Sequence, residues 1–217
     1  MITCHLGKMM PGFLAVVLIL VLVPWTNVRA QDRMKPIPAD KMTEAQKKAV
    51  ADYAAARGSA LSGGPFMVLL RIPEVMNLAR LMREHVQFRT VLGQKLTELA
   101  ILITAREWTQ QYEWNAHYPA AIKAGLKPEI IKAIAEGRHP ELMAEDEGIL
   151  YDFCIELHRN QSVSDTTYAR ALSKFGEEGI VEAATIEGYY TLLAMVMNTA
   201  RTPLPQGATP SLADFPR

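Results

Sequence analysis

The sequence has few cysteines, few aromatic residues and no excess of charge of either sign. Its 217 residues include 2 cysteines, and aromatic residues make up 7% of the chain. The 23 basic residues equal the 23 acidic ones, so the chain lacks the surplus positive charge with which proteins bind phosphates or anionic lipid. We therefore expect no nucleic-acid partner. Few aromatic residues beside plentiful Ala, Leu, Met and Ile favour helices over sheet.

Helix caps and glycines divide the chain into helices, and no alternating strand pattern of useful length appears. Thr43 and Gln46 match a capping box at the start of a first helix. Residues 95–106, KLTELAILITAR, are apolar on nearly every face, which predicts a helix enclosed in the domain or at a subunit contact. Gly176 separates the last two predicted helices. The predicted fold is an all-α helical bundle.

The first thirty residues are typical of a signal peptide. An apolar run at residues 12–25, GFLAVVLILVLVPW, follows Lys8 and precedes a small-residue cleavage pattern that ends at Ala30. The run is shorter than the roughly 20 apolar residues of a membrane-spanning helix. We therefore predict export to the periplasm or secretion, with no stable membrane span after cleavage. Retention of the segment as an anchor is the alternative.

Four regions follow from this division of the chain. Residues 1–30 are the predicted signal peptide, 31–42 a flexible leader, 43–200 one helical domain and 201–217 a proline-rich tail. Cleavage would also remove Cys4 and leave Cys154 as the one cysteine, so no internal disulfide is expected. Cys154 lies in an apolar helical stretch, which predicts a buried core thiol.

A dense group of polar residues starts the second central helix. Glu113 and His117 are four residues apart, so they share a helix face and their side chains can meet as an acid–base pair. Gln110 falls on the same face, and Arg106 lies within reach at the end of the preceding helix. Thr109 is the predicted cap of the second central helix. The same spacing is also common on solvated helix surfaces.

These residues carry a family resemblance. Residues 96–126 contain ELAILITARE followed by QYEWNAHYPAAIKAGL, and they resemble the carboxymuconolactone decarboxylase family. The likeness extends more loosely over residues 64–198. The resemblance implies an all-helical domain that assembles into trimers or hexamers. It also implies a carboxy-lyase that needs no metal or organic cofactor and acts on a carboxylated lactone or related small acid.

The resemblance implies roles for particular residues. Glu113 and His117 would be the catalytic pair, and Arg106 is a further catalytic candidate that could hold the substrate carboxylate. Candidates for substrate binding are Gln110, Tyr112 and Trp114.

A second branch of the family is similar to alkylhydroperoxidase and carries Cys-x-x-Cys seven and four residues before the His. Those positions are Gln110 and Glu113 here, so the thiolate route to peroxide reduction is not expected. An antioxidant role without these thiols and a non-catalytic oligomer that binds a small acid both stay open as alternatives. His85, His139 and His158 lack partners at metal-ligand spacing, so we expect them on the surface and predict no metal site.

Overall fold

Eight α-helices form the part of the chain that the structure, a computed structural model, describes: Met1 and residues 32–213. A short 3₁₀ helix precedes them, and this part contains no strand, so the all-α prediction is confirmed. The helices are α1 (Glu44–Arg57), α2 (Pro65–Leu69), α3 (Pro73–Phe88), α4 (Gly93–Glu107), α5 (Gln111–Lys123), α6 (Pro128–Ala135), α7 (Glu145–Asn160) and α8 (Asp165–Ala200). The predicted signal peptide lies outside the described residues, apart from Met1.

Local signals place the helix ends as predicted. At the start of α1, the backbone N–H of Gln46 donates to Thr43 Oγ1 at 3.2 Å, and the N–H of Thr43 donates to Gln46 Oε1 at 3.0 Å. This reciprocal pair is the predicted capping box. Ser164 caps α8 in a similar way, because its hydroxyl accepts from the N–H of Thr167.

Helix α4 is the centre of the domain. All of its residues from Leu96 to Arg106 are buried. Helices α5, α7 and α8 pack against it and cover its faces. A helix enclosed on several sides needs apolar residues all round, which explains the sequence of α4. The few polar side chains that it does carry must find partners inside the domain.

Helix α8 is long and contains one break. Gly176 has φ +68° and ψ 178°, which is not helical, so the predicted separation of two helices at this residue is confirmed. By length and composition, α8 is the one helix among the described residues that could cross a membrane. Its most apolar window is 56% buried against the rest of the domain. It therefore packs as a core helix.

Residues 201–213, the described part of the segment after α8, contain no helix, as the prolines predict, and they fold back onto the domain. Leu212 is buried and joins the hydrophobic core. The side chain of Gln111 accepts from the N–H groups of Ser211 and Leu212 and donates to the carbonyl of Leu212 at 2.6 Å. Arg106 donates to the carbonyl of Ala213, also at 2.6 Å. Two polar side chains thus hold this segment in place.

Candidate functional site

Helices α4 and α5 bring a buried carboxylate against a histidine ring. Glu98 Oε2 lies 2.7 Å from His117 Nδ1, and Gln94 Nε2 donates to the other Glu98 oxygen at 2.9 Å. The Glu98 side chain is 1% exposed and that of His117 is 11% exposed. A carboxylate acceptor at Nδ1 favours a proton on that nitrogen and fixes the orientation of the ring. The Nε2 atom is then the one that can act on a ligand.

The predicted hydrogen-bonded pair of Glu113 and His117 is wrong. Both residues lie on α5 as expected, but Glu98 of α4 occupies the bonding position at His117 Nδ1. Neither carboxylate oxygen of Glu113 has a hydrogen-bond partner among the described residues. Spacing of four residues placed the two side chains on one face, and packing of α4 against that face then decided which acid the ring meets.

Glu113 is a buried acid without a charged partner. Its side chain lies inside the domain, and burial raises the pKa of this carboxyl group well above its usual range. Burial has this effect because a low-polarity environment disfavours the charged form. Burial therefore favours the neutral form of the Glu113 carboxyl group, which can donate a hydrogen bond or a proton.

Two tyrosines of α8 complete the group. The Tyr190 ring meets the His117 ring edge-on, with centroids 5.1 Å apart, and Tyr189 meets Tyr190 in the same way at 5.2 Å. Burial raises the pKa of both phenols. We call Glu98, Glu113, His117, Tyr189 and Tyr190 the buried polar cluster.

The buried polar cluster has unused hydrogen-bonding capacity. Both oxygens of Glu113 and the hydroxyls of Tyr189 and Tyr190 are buried without a hydrogen-bond partner among the described residues. Leaving one such group unpaired costs about 1–3 kcal/mol, so unpaired groups rarely collect in one place. Four of them beside an oriented histidine suit a site whose polar atoms are completed by a ligand.

Known proteins match this chain in fold and not in sequence. No protein-family model matches it, and no curated protein matches its sequence at a significant level. A peroxidase-related protein from Ralstonia eutropha JMP134, described as an alkylhydroperoxidase AhpD core, has a TM-score of 0.65 at 14% identity over 82% of this chain and 94% of that one. A peroxidase-related protein from Silicibacter sp. TM1040 has a TM-score of 0.64 at 15% identity, with the same shares covered. This chain has the AhpD-like fold.

A third protein with the AhpD-like fold is a debrominase solved in complex with 2,3,4-tribromopyrrole. Its superposition on this chain has a TM-score of 0.62 at 11% identity and covers 80% of this chain and 91% of the debrominase. The fold that the family resemblance of residues 96–126 implies is thus confirmed. At these identities the AhpD-like fold is shared by proteins of different activity, so the reaction must be argued from the site.

Two residues predicted to bind substrate have structural roles at the start of α5 in this AhpD-like domain. Gln110 caps the helix: its Oε1 accepts from the N–H of Tyr112, and its Nε2 donates to Asn198 Oδ1, both at 2.7 Å. The prediction that Thr109 caps this helix is wrong. Thr109 lies one residue before the cap and has a φ of +46°. Trp114 is buried in the hydrophobic core.

Tyr112 and Arg106 also contact other parts of the domain. Tyr112 packs on the turn before α2, where a Cβ added to Gly64 would lie 2.8 Å from the tyrosine Cε1. Arg106 is buried and holds the C-terminal segment through Ala213. It comes eight residues after Glu98 on α4, which is about 12 Å along the helix axis.

The AhpD-like domain also has a cleft of about 730 Å³ at the N-terminal end of α5. It is lined by Thr109, Gln110, Asn198 and the segment 201–210, among others. The cleft shares no residue with the buried polar cluster. It is the space left between the start of α5 and the returning C-terminal segment, and the one predicted site residue that it reaches is Gln110.

A second buried His–Glu pair lies between α7 and α8. His158 Nε2 is 2.7 Å from Glu187 Oε2, and Thr104 donates to the other oxygen of Glu187 at 3.3 Å. The His158 side chain is 11% exposed, so its predicted surface position is wrong, whereas His85 and His139 are exposed as predicted. Among the described residues, no group of three or more potential ligands could hold a metal ion.

Cys154 lies beside this second pair. It is fully buried, as predicted, and burial together with the nearby negative charge of Glu187 raises the pKa of its thiol well above the usual value. A thiol in this state is a poor nucleophile.

Sequence reasoning missed Glu98 and both tyrosines of the buried polar cluster. A signal for Glu98 was present, because it is an acid within a helix that is otherwise nearly apolar on every face. A charge in such a helix must be buried, and a buried charge requires a partner. Tyr189 and Tyr190 carry no such signal, since tyrosines at helical spacing are ordinary core residues.

Proposed function

We propose that this chain is an exported, cofactor-free enzyme whose active site is the buried polar cluster. Its proposed reaction is acid–base decarboxylation of a carboxylated lactone or related small acid. The observation that carries this proposal is the buried hydrogen bond between Glu98 and His117, beside the unpaired acid Glu113. Export is supported by the apolar run of residues 12–25 and the cleavage pattern that follows it.

The proposed reaction needs one proton and a stabilised carbanion. The bond between the substrate carbon and its carboxylate breaks, CO₂ leaves, and the electron pair stays on the carbon, delocalised into the lactone carbonyl. His117, as an imidazolium, transfers its Nε2 proton to that carbon and is reprotonated from solvent. Glu98 holds the Nδ1 proton and stabilises the positive ring. Glu113, as a neutral acid, donates a hydrogen bond to the carbonyl oxygen as negative charge develops there.

An antioxidant function is the second candidate, because two structural neighbours are described as peroxidase-related. Thiol-based peroxide reduction requires a thiolate nucleophile and a resolving thiol. The positions that precede His117 by seven and four residues are Gln110 and Glu113, and Cys154 is buried with a raised pKa. The acid–base proposal uses groups that the cluster has, and it is therefore favoured.

The test compares two buried histidines. His117→Ala should lower CO₂ release from a carboxylated lactone by about 100-fold or more, the usual contribution of a general acid. His158→Ala removes an equally buried ring that also pairs with a glutamate, and it should keep its turnover per folded molecule. Equal rates for His117→Ala and the wild type would exclude His117 from the mechanism. Binding of the lactone without CO₂ release would instead identify a non-catalytic small-acid binder.

We also propose that the chain forms a homo-oligomer, a trimer or hexamer, through α3. Leu78, Leu81 and Met82 are exposed apolar residues on the outer side of this helix, opposite its buried Met76. A helix that is apolar outside as well as inside is typical of a subunit contact. Leu78→Glu should therefore reduce the particle size in gel filtration, whereas Leu142→Glu, at an equally exposed leucine outside α3, should not. A monomeric wild type would contradict this proposal.

A further inference from the structure

We propose that the cleft at the N-terminal end of α5 is a binding site for a small carboxylic acid with an apolar body. Its volume of about 730 Å³ lies within the range of roughly 300–1,000 Å³ that is usual for small-molecule sites. The cleft shares no residue with the buried polar cluster, so this inference does not rest on the proposed reaction.

Hydrogen bonds within the chain hold the polar side chains of the cleft in place. Gln110 Nε2 donates to Asn198 Oδ1 at 2.7 Å, and Asn198 Nδ2 donates to the carbonyl of Trp108 at 3.0 Å. Gln111 in turn bonds to the backbone of residues 211–212. Every side-chain oxygen and nitrogen of these three amides has a partner within the chain. The cleft is therefore preformed, and its amides do not need a polar ligand.

Much of the remaining lining is apolar. Met197 and Leu204 contribute to it, together with Pro203, Pro205 and Pro210. Proline has no backbone N–H group, so this wall offers few hydrogen-bond donors. Removal of apolar surface from water favours binding against such a wall. The part of a ligand that contacts it should therefore be apolar.

One positive charge lies in the lining of the cleft. Arg201 is the one charged residue among the residues that line it, and the lining contains no acid. No hydrogen bond or ion pair of the Arg201 side chain is found within residues 32–213. A guanidinium group binds a carboxylate through two parallel N–H···O bonds. The charged group of the ligand should therefore be a carboxylate.

Further positive charge lies beside Arg201. This residue also lines a neighbouring cleft with Asp32, Arg33 and Lys35. The backbone N–H of Arg33 donates to the carbonyl of Ala200 at 2.9 Å, which holds it at the end of α8. Three cations thus share this region with one acid. The excess of positive charge attracts an anion to this end of the cleft and repels a cation.

The backbone of the cleft is strained at two positions. Thr109 has a φ of +46° and Arg201 a φ of +53°, and they are two of the three non-glycine residues with positive φ in the described part of the chain. A side chain is disfavoured in this left-handed conformation, which glycine usually occupies at the end of a helix. Strained residues of this kind collect at ligand sites. Their presence in one cleft supports a binding role for it.

The experiment measures binding of an apolar acid and of its neutral counterpart. The probes are 4-phenylbutyrate and 4-phenylbutanamide, titrated calorimetrically into the full-length protein. The wild type should bind the acid about tenfold or more tightly than the amide, as expected for a charge-assisted contact. Arg201→Gln should abolish this preference, whereas Arg89→Gln, at another exposed arginine, should keep it. Leu204→Ala removes part of the apolar wall and should weaken binding of both probes by about threefold or more.

The outcomes also separate this site from the proposed active site. A wild type that binds neither probe, or that binds the acid no better than the amide, would overturn the inference. An Arg201→Gln variant that keeps the preference, or a His117→Ala variant that loses it, would overturn it as well. An Arg201-dependent preference in a protein that releases no CO₂ from a carboxylated lactone would support the cleft and contradict the proposed reaction. CO₂ release without this preference would do the reverse. If Arg201→Gln fails to fold by circular dichroism, Arg201→Ala takes its place.

Discussion

Replacing Glu98 by Gln removes one charge from the buried polar cluster and leaves its shape almost unchanged. The amide oxygen can still accept the His117 Nδ1 proton at the position that Glu98 Oε2 occupies, 2.7 Å away. The new NH₂ group then faces Gln94, which can rotate its own amide to accept. The hydrogen bond therefore survives the substitution, and its charge assistance does not.

The expected losses differ in size between stability and turnover. A hydrogen bond to a charged group contributes about 1.5–3 kcal/mol to stability and a neutral one about 1 kcal/mol, so Glu98→Gln should cost about 1–2 kcal/mol. Turnover should fall by about 100-fold or more, because the ring loses the facing carboxylate that orients it and fixes the proton on Nδ1.

The second buried pair provides a matched control. His158 and Glu187 are also 2.7 Å apart, with side chains exposed to 11% and 3%, against 11% and 1% for His117 and Glu98. Glu187→Gln should therefore cost a similar unfolding free energy in urea and leave CO₂ release per folded molecule unchanged. If both variants lose turnover equally, or if Glu98→Gln keeps wild-type turnover, the Glu98–His117 pair has no catalytic role beyond stability.

Two further predictions concern stability. Burial raises the pKa of Glu113, so the folded state keeps a proton that the unfolded chain loses above about pH 4.3, and wild-type stability falls as pH rises from there to the folded-state pKa. In urea titrations, the free energy of unfolding of Glu113→Gln should rise relative to that of the wild type by about 1.4 kcal/mol per pH unit within that window. A difference between the two proteins that does not depend on pH would contradict this prediction. Gly64→Ala should be more destabilising than Gly58→Ala. Both glycines have positive φ, which costs about 1–2 kcal/mol, but only at Gly64 does the new Cβ meet Tyr112, at 2.8 Å, for about 1–3 kcal/mol more. Equal losses for the two alanine variants would show that this contact relaxes freely.

The helices and their ends could be predicted because their signals are local. The capping box of Thr43 and Gln46 spans four residues, and the break at Gly176 depends on the backbone freedom of one residue. Such features form largely without reference to the rest of the fold. The cap of α5 is the exception. Thr109 has the better capping side chain by type, but Gln110 also bonds to Asn198 of α8, and this distant contact favours it as the cap.

The predicted contact between Glu113 and His117 on α5 was wrong. Spacing along one helix showed that Glu113 and His117 share a face, and it could not show what packs on that face. The partner of His117 is Glu98, 19 residues earlier in the chain and on another helix.

Composition and local patterning thus sufficed for an all-helical domain, for most of its helix ends and for the buried thiol of Cys154. The contacts between helices decided the rest: which acid meets each buried histidine, and that the Glu113 carboxyl group has no hydrogen-bond partner within residues 32–213. The physical reason is the distance along the chain between the residues whose contacts decide each feature. A helix cap is made by atoms within about four residues of one another. The position of one helix against another is set by the packing of the whole core, and a shift of a few ångströms there exchanges one hydrogen-bond partner for another.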